Sequence, residues 1–299
     1  MNKPVFTGSC VAIVTPMNYD GSINYEEYGK LIDFQIENGT DAILACGTTG
    51  ESAVMDHKEH CEVIEYTLKK VDKRVPVIAG TGSNDTAYAV ELTKEAKKLG
   101  ADAVLSVTPY YNKTSQTGLI RHFNTIANAV DIPMILYNVP SRTGCCIKPE
   151  TYAELCKNPN IVATKEAGEK IGEAAKTMAL CGDNLDVYTG CDDMTVPVMS
   201  LGGKGVISVF SNVMPKEMHE IAALCLEGNF REAAKMHLHY LELMNALFCD
   251  VNPIPVKEAM NMMGFSCGAC RLPLAPLGEK SYDYLKSVMI KYGLFKEKV

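Results

Sequence analysis

The sequence predicts a (β/α)8 barrel with a C-terminal helical extension, and three observations carry that prediction. Eight short apolar, β-branched runs recur over the first three quarters of the 299-residue chain. Amphipathic helical stretches separate most of them; this alternation gives a parallel sheet, and eight such units close on themselves. The runs are continuously apolar instead of alternating, as strands must be when helices cover them outside and side chains fill the space within.

The runs cover residues 10–15, 41–46, 75–79, 103–107, 133–138, 161–165, 185–189 and 205–210. Helical periodicity fills 25–38, 86–99 and 118–130, each stretch closed by Gly, Asn or Asp before the next run. An open doubly wound sheet is the competing architecture. Against it, no Gly-x-Gly-x-x-Gly follows the first run, where the chain reads Thr15-Pro16-Met17. From about Asn229 the strand signal stops and helical patterning continues through 231–247, 255–263 and 281–292. The expected organisation is a catalytic barrel over 1–228 and a helical domain over 229–299.

Composition narrows the function. A 47% hydrophobic content is ordinary for a folded globular chain, and a net charge of −7 with a pI near 5.5 argues against a nucleic-acid footprint. The basic pairs Lys69-Lys70 and Lys97-Lys98 alternate with acidic helix faces, so the expected substrate is small. Twelve cysteines are scattered as small hydrophobes would be (Cys10, Cys46, Cys61, Cys181, Cys225), which fits a reducing compartment. The start Met1-Asn2-Lys3-Pro4 lacks the apolar run of a signal peptide, and no stretch approaches the roughly 20 residues that span a bilayer. A cytoplasmic enzyme is expected.

In a barrel of this kind the loops after the strands form one rim, where residues distant in sequence converge. That rim would carry Gly47-Thr48-Thr49-Gly50-Glu51-Ser52, Thr108-Pro109-Tyr110-Tyr111-Asn112, Tyr137-Asn138-Val139-Pro140-Ser141-Arg142-Thr143-Gly144, Lys165 and Gly190-Cys191-Asp192-Asp193. Lys165 ends the run Ile161-Val162-Ala163-Thr164, where nothing in the local pattern calls for a charge. A strand-end lysine that snorkels to solvent is the ordinary explanation. The alternative is a buried amine that stays neutral and attacks a carbonyl, forming a Schiff base that acidifies the adjacent carbon. An arginine offers the two-pronged donor that fits a carboxylate, and hydroxyls and phenols at short range pass protons. This chemistry needs no cofactor.

These motifs resemble, in order and from about Gly8 to Asn212, the dihydrodipicolinate synthase branch of the N-acetylneuraminate lyase family of class I aldolases. A weaker echo follows in Asn252-Pro253-Ile254-Pro255-Val256-Lys257. The resemblance implies that Lys165 forms the Schiff base with pyruvate and that Tyr137 transfers protons. It also implies that Thr49 links Tyr137 to Tyr111, the latter reaching in from a neighbouring subunit. Arg142 would hold the carboxylate of the incoming aldehyde, while Thr48 and the backbone near Gly190 and Ile207 would hold pyruvate. The Thr48-Thr49 doublet and Arg142 favour the synthase branch over the sialic acid lyases. The implied reaction condenses pyruvate with aspartate 4-semialdehyde, with loss of water, on the route to diaminopimelate and lysine. The implied assembly is a homotetramer built from tight dimers.

In lysine-inhibited members of the family the effector sits among residues matching Ser52, Ala53, His57, His60, Asn84 and Tyr110. Where those members carry a glutamate for the effector's amine, this chain has Tyr88, so weak lysine inhibition or none is expected; His57 and His60 also read as ordinary polar residues at a helix start. Two further readings stay open: a related pyruvate-dependent aldolase acting on another 2-oxo acid, and a non-catalytic barrel that senses a metabolite. The complete set of Lys165, Tyr137, Thr49, Tyr111 and Arg142 speaks against the sensor, which needs no proton relay.

Other signals are discounted as metal or redox sites. Cys267-Gly268-Ala269-Cys270 has no second cysteine pair at zinc-site spacing. His237 and His239 point to different sides of one helix and read as surface residues. Cys145-Cys146 reads as small packed residues, and one carboxylate of Asp192-Asp193 reads as the cap of the following helix.

Overall fold

The computed structural model describes residues 3–168 and 170–295. Met1 and Asn2, where the leader was sought, lie outside the described residues, as do Glu169 and 296–299. Eight parallel strands pair in sequence order and close into a barrel, with β1 against β8. The strands are β1 Gly8–Ala12, β2 Ala42–Ala45, β3 Val77–Gly80, β4 Ala103–Val107, β5 Met134–Asn138, β6 Ile161–Glu166, β7 Asp186–Thr189 and β8 Gly205–Ser208. The barrel helices are α1 Tyr25–Glu37, α2 His57–Val71, α3 Thr86–Leu99, α4 Gln116–Ala129, the short α5 Pro140–Thr143, α6 Pro149–Leu155, α7 Ile171–Cys181, α8 Thr195–Ser200 and α9 Pro215–Leu226. Three more follow: α10 Phe230–Ala246, α11 Ile254–Met262 and α12 Glu279–Lys291.

Helix starts follow their caps. Asn24, Asp56, Asp85 and Ser115 each accept a backbone N–H of the first turn of α1, α2, α3 and α4. Gly100, at φ 101°, ends α3 in the left-handed region that a residue with a Cβ avoids.

Alternate strand residues divide the core into two shells. Cys10, Ala12, Leu44, Ile78, Leu105, Ile135, Ala163, Tyr188 and Ile207 fill the barrel interior. Their neighbours Val11, Ile43, Val77, Val104, Leu136 and Val206 face the helices. At the N-terminal mouth Phe6 stacks on Tyr188 with ring centroids 4.3 Å apart, and the Tyr188 hydroxyl donates to the Phe6 carbonyl at 2.7 Å. The opposite mouth is therefore the open one.

Two strands end two or more residues short of the sequence reading. β1 stops at Ala12 because residues beyond it take side-chain partners: the Val14 N–H donates to Asn212 Oδ1 at 3.0 Å, and the Thr15 hydroxyl donates to the Gly50 carbonyl at 2.8 Å. β8 stops at Ser208 because the N–H groups of Val209 and Phe210 turn to the Asp192 carboxylate at 3.1 and 2.9 Å. That pairing also corrects the reading of Asp192: it caps the turn after β8, not the helix that follows it.

The helices α10 to α12 place Leu243, Val256, Leu285 and Met289 in the same apolar cluster as the barrel's outer shell. An ion pair ties this tail to the loop after β2. Lys257 donates to Glu51 at 2.7 Å with both side chains almost wholly buried, and to the Ala269 carbonyl at 2.9 Å. The second Glu51 oxygen accepts the Arg271 N–H at 2.8 Å. Removing one partner of such a pair leaves a buried charge and costs about 3–5 kcal/mol.

The histidine reading is corrected in part. His239 is exposed, but His237 is buried, with Nε2 3.0 Å from the Asp193 carbonyl. All twelve cysteines are free thiols. No helix among the described residues is long and apolar enough to cross a membrane.

Candidate active site

Ala163 and Lys165 face the barrel interior on β6, so the lysine side chain lies inside the fold and is only 5% exposed. Its register partners are Tyr137 on β5 and Tyr188 on β7. The Lys165 Nζ stands 4.5 Å from the centroid of the Tyr137 ring. Gly190 permits this placement, since a Cβ there would lie 2.8 Å from Lys165 Cε.

A cavity of about 310 Å³ opens above the amine. Its wall includes Thr48, Thr49, Tyr137, Ser141, Arg142, Lys165, Gly190 and Asp192, and its roof is made by Met244, Asn245, Phe248 and Asn252 from the end of α10 and the loop after it. Six of the eight residues expected to act on or hold substrate are thus brought together: Thr48, Thr49, Tyr137, Arg142, Lys165 and Gly190. Ile207 is not among the lining residues; its side chain packs in the barrel interior beneath them.

Asn252 is the residue the motif reading left without a role. Its side-chain amide donates to the Thr49 hydroxyl at 3.1 Å, and its carbonyl accepts the Arg142 guanidinium at 3.0 Å. One residue of the tail therefore holds both the hydroxyl and the cation of the site. The Thr49 hydroxyl keeps its own hydrogen for a second partner. The signal was present in Asn252-Pro253, but nothing local connects it to a threonine 203 positions away.

Tyr111 does not join this cavity. It is 92% exposed and sits at φ 66°, in the left-handed region. The loop is pinned: Asn112 Nδ2 donates to the Asn84 carbonyl at 2.9 Å, and Asn84 Nδ2 donates to the Tyr110 carbonyl at 3.2 Å.

Asp192 is buried with no hydrogen-bond partner for Oδ1 among the described residues, and burial pushes its carboxyl up to about 6. Burial also pushes the Cys191 thiol up to about 12 and raises that of Cys146, so neither is poised as a thiolate. Among the described residues no group of three or more His, Cys, Asp or Glu side chains converges as metal ligands would.

A second cavity, of about 380 Å³, adjoins the first and shares Thr48, Val139 and Arg142 with it. Of the candidate effector residues it brings together Ser52, Ala53, His60, Tyr88 and Tyr110. His57 and Asn84 are not among its lining residues; the His57 ring lies 5.8 Å from that of Tyr88. His60 is held by the Gly80 carbonyl at 2.7 Å, and burial lowers its affinity for a proton.

The sequence profile of the Dihydrodipicolinate synthetase family matches residues 5–291. The chain belongs to that family. It is 54% identical over 294 residues to a 4-hydroxy-tetrahydrodipicolinate synthase of Acetivibrio thermocellus, covering 98% of this chain and all of the relative. Among solved family structures, the chloride-inhibited dihydrodipicolinate synthase of Acinetobacter baumannii complexed with pyruvate is 43% identical with a TM-score of 0.95, covering 97% of this chain and 99% of that one. A DHDPS from Cyanidioschyzon merolae with lysine bound is 40% identical with a TM-score of 0.95, covering 98% of this chain and all of that one. The family's barrel is this chain's fold.

Proposed function

We propose that this chain is a 4-hydroxy-tetrahydrodipicolinate synthase, a Schiff-base-forming lyase that condenses pyruvate with aspartate 4-semialdehyde. The observation that carries the reading is a lysine almost wholly buried on an inward strand position, opening onto a cavity beside a tyrosine. The Lys165 amine adds to the pyruvate ketone and water leaves, giving an iminium. The iminium withdraws electrons, a methyl proton departs, and the resulting enamine carbon attacks the aldehyde. Tyr137 shuttles the protons, through Thr49 and a tyrosine, Tyr111, supplied by a second copy of the chain. A phenol held out in solvent on a pinned loop suits that role.

Thr48 and the backbone around Gly190 and Ile207 receive pyruvate. Arg142, held at the cavity edge by the Asn252 carbonyl, receives the aldehyde's carboxylate. The partners of this reading are the two substrates and further copies of the chain in a homotetramer, with lysine as a weak effector at most. A cytoplasmic setting accords with twelve free cysteines.

Borohydride reduction in the presence of pyruvate, followed by peptide mass mapping, tests the reading. A stable three-carbon adduct on Lys165 with loss of activity is expected. An adduct on another lysine, or full activity in Lys165→Ala, would overturn it. Lys165→Arg fares no better than alanine, because a guanidinium stays protonated and does not attack a carbonyl.

A further inference from the structure

Behind the ends of β5 and β6 lies a largely buried polar cluster, with Glu166 half-buried at its centre, that no step of the proposed chemistry touches. Tyr137 and Lys165 are register partners facing the cavity, so the next pair, Asn138 and Glu166, faces outward toward α6. The Asn138 side-chain amide donates to both Glu166 oxygens at 3.0 Å. The Tyr152 hydroxyl donates to Oε2 at 3.1 Å, and the Gly168 N–H donates to Oε1 at 2.9 Å. Asn138 uses its own oxygen to accept the Ile147 N–H at 3.0 Å, which fastens the far end of the segment bearing Arg142. The Glu166 carbonyl accepts the Gly190 N–H at 2.7 Å, reaching the wall where pyruvate is placed.

Every partner of the Glu166 carboxylate among the described residues is a donor, so the position requires a group that only accepts. Burial raises its carboxyl above the ordinary range, which is the mark of a charge kept out of water at a cost. A fold that needed only stability would do as well with a neutral or apolar group there. We infer that Glu166 and Asn138 are positioning residues that fix, from outside the barrel, the spacing of Lys165 and Tyr137. A pair locked one residue beyond them leaves neither strand end free to slide or twist.

The inference rests on the proposed function, and the test separates the two. Glu166→Gln sets an amide N–H against a donor, and Asn138→Asp sets a carboxylate against a carboxylate. The double variant Glu166→Gln/Asn138→Asp restores one donor facing one acceptor and leaves the bond to Ile147 intact. Each single variant is expected to lose kcat by about 100-fold per folded molecule, as for a misplacement of about 1 Å, with the KM for pyruvate little changed. The double variant recovers most of that loss, and borohydride trapping at Lys165 slows and recovers in parallel.

Single variants with parental kcat per folded molecule, or losses the double does not reverse, would overturn the inference. Should the singles fail to fold, Tyr152→Phe removes one of the donors and must still lower kcat without moving KM; an unchanged kcat overturns the inference equally. A parent chain that forms no pyruvate adduct sinks the proposed function instead.

Discussion

Lys165 and Tyr137 are register partners on adjacent strands, and the amine stands 4.5 Å from the centre of the phenol ring. In the proposed reaction the first side chain forms the iminium and the second moves its protons. Tyr137→Phe is therefore expected to separate the two events. Trapping of pyruvate on Lys165 should persist, while condensation falls by about 10²–10⁴-fold, the range for loss of a general acid–base. Condensation within tenfold of the parent would remove Tyr137 from the proton path.

Arg142 contacts no acidic side chain among the described residues; its guanidinium is held by the neutral carbonyl of Asn252. A cation steadied but not neutralised is suited to receive a carboxylate. Arg142→Ala is expected to weaken the response to aspartate 4-semialdehyde by ~1.5–3 kcal/mol, the worth of a hydrogen bond to a charged group, and to spare pyruvate. Steady-state kinetics with each substrate varied in turn measures the split. Equal losses would mean that the arginine organises the site as a whole.

Tyr111 is exposed and does not line its own chain's cavity, so the proposed relay requires a second subunit. Mixing inactive Tyr111→Phe with inactive Lys165→Ala chains should regenerate activity, because one site of each mixed dimer then carries both residues. Mixed dimers verified by mass spectrometry yet inactive would refute a relay across the boundary.

Asp192 makes stability depend on pH in a defined direction. Its carboxyl titrates near 6 in the folded chain against 3.8 ordinarily, so the folded state holds this proton more tightly than the unfolded one. The group's contribution is full below pH ~4 and is lost as the pH rises through 6, a swing of up to ~3 kcal/mol. Asp192→Asn keeps an acceptor for Val209 and Phe210 and removes the charge. Relative to the parent it should gain stability between pH 4.5 and 7.5 in denaturant melts. A difference that does not move with pH would show that the buried charge costs nothing.

The barrel was legible because hydrophobic period reports which faces are buried, and eight continuously apolar runs leave few other folds. Lys165, Tyr137, Thr49 and Arg142 were legible because a barrel delivers strand ends to one rim. What the period does not report is what each face is buried against. Asn252 bridges Thr49 and Arg142 across the chain, and Asp192 serves a turn 17 residues on; neither pairing has a local signature. His237 was misread for the same reason, since its partner is a carbonyl 44 residues earlier. The roof of the cavity comes from the end of α10 and the loop after it, where Met244 reads only as part of one more helical stretch.

The second cavity bears on the response to lysine. Its wall contains hydroxyls, His60, two tyrosines and Arg142, and among the described residues no carboxylate lines it. An effector's α-carboxylate finds donors there, but its side-chain ammonium finds neutral acceptors, hydroxyls and phenols, in place of a carboxylate. Burial raises the Tyr88 hydroxyl above its ordinary range, so that phenol stays neutral and offers a ring face or an oxygen, worth roughly 0.5–2 kcal/mol to a cation. A carboxylate paired with the ammonium out of water supplies more, about 1.5–3 kcal/mol for the charged hydrogen bond alone. Lysine is therefore expected to inhibit the parent weakly or not at all, and Tyr88→Glu to strengthen inhibition by about tenfold, the equivalent of ~1.4 kcal/mol. Titration of activity against lysine for both chains decides it. Strong inhibition of the parent at submillimolar lysine would show that a neutral phenol suffices, and that the missing charge does not govern the site.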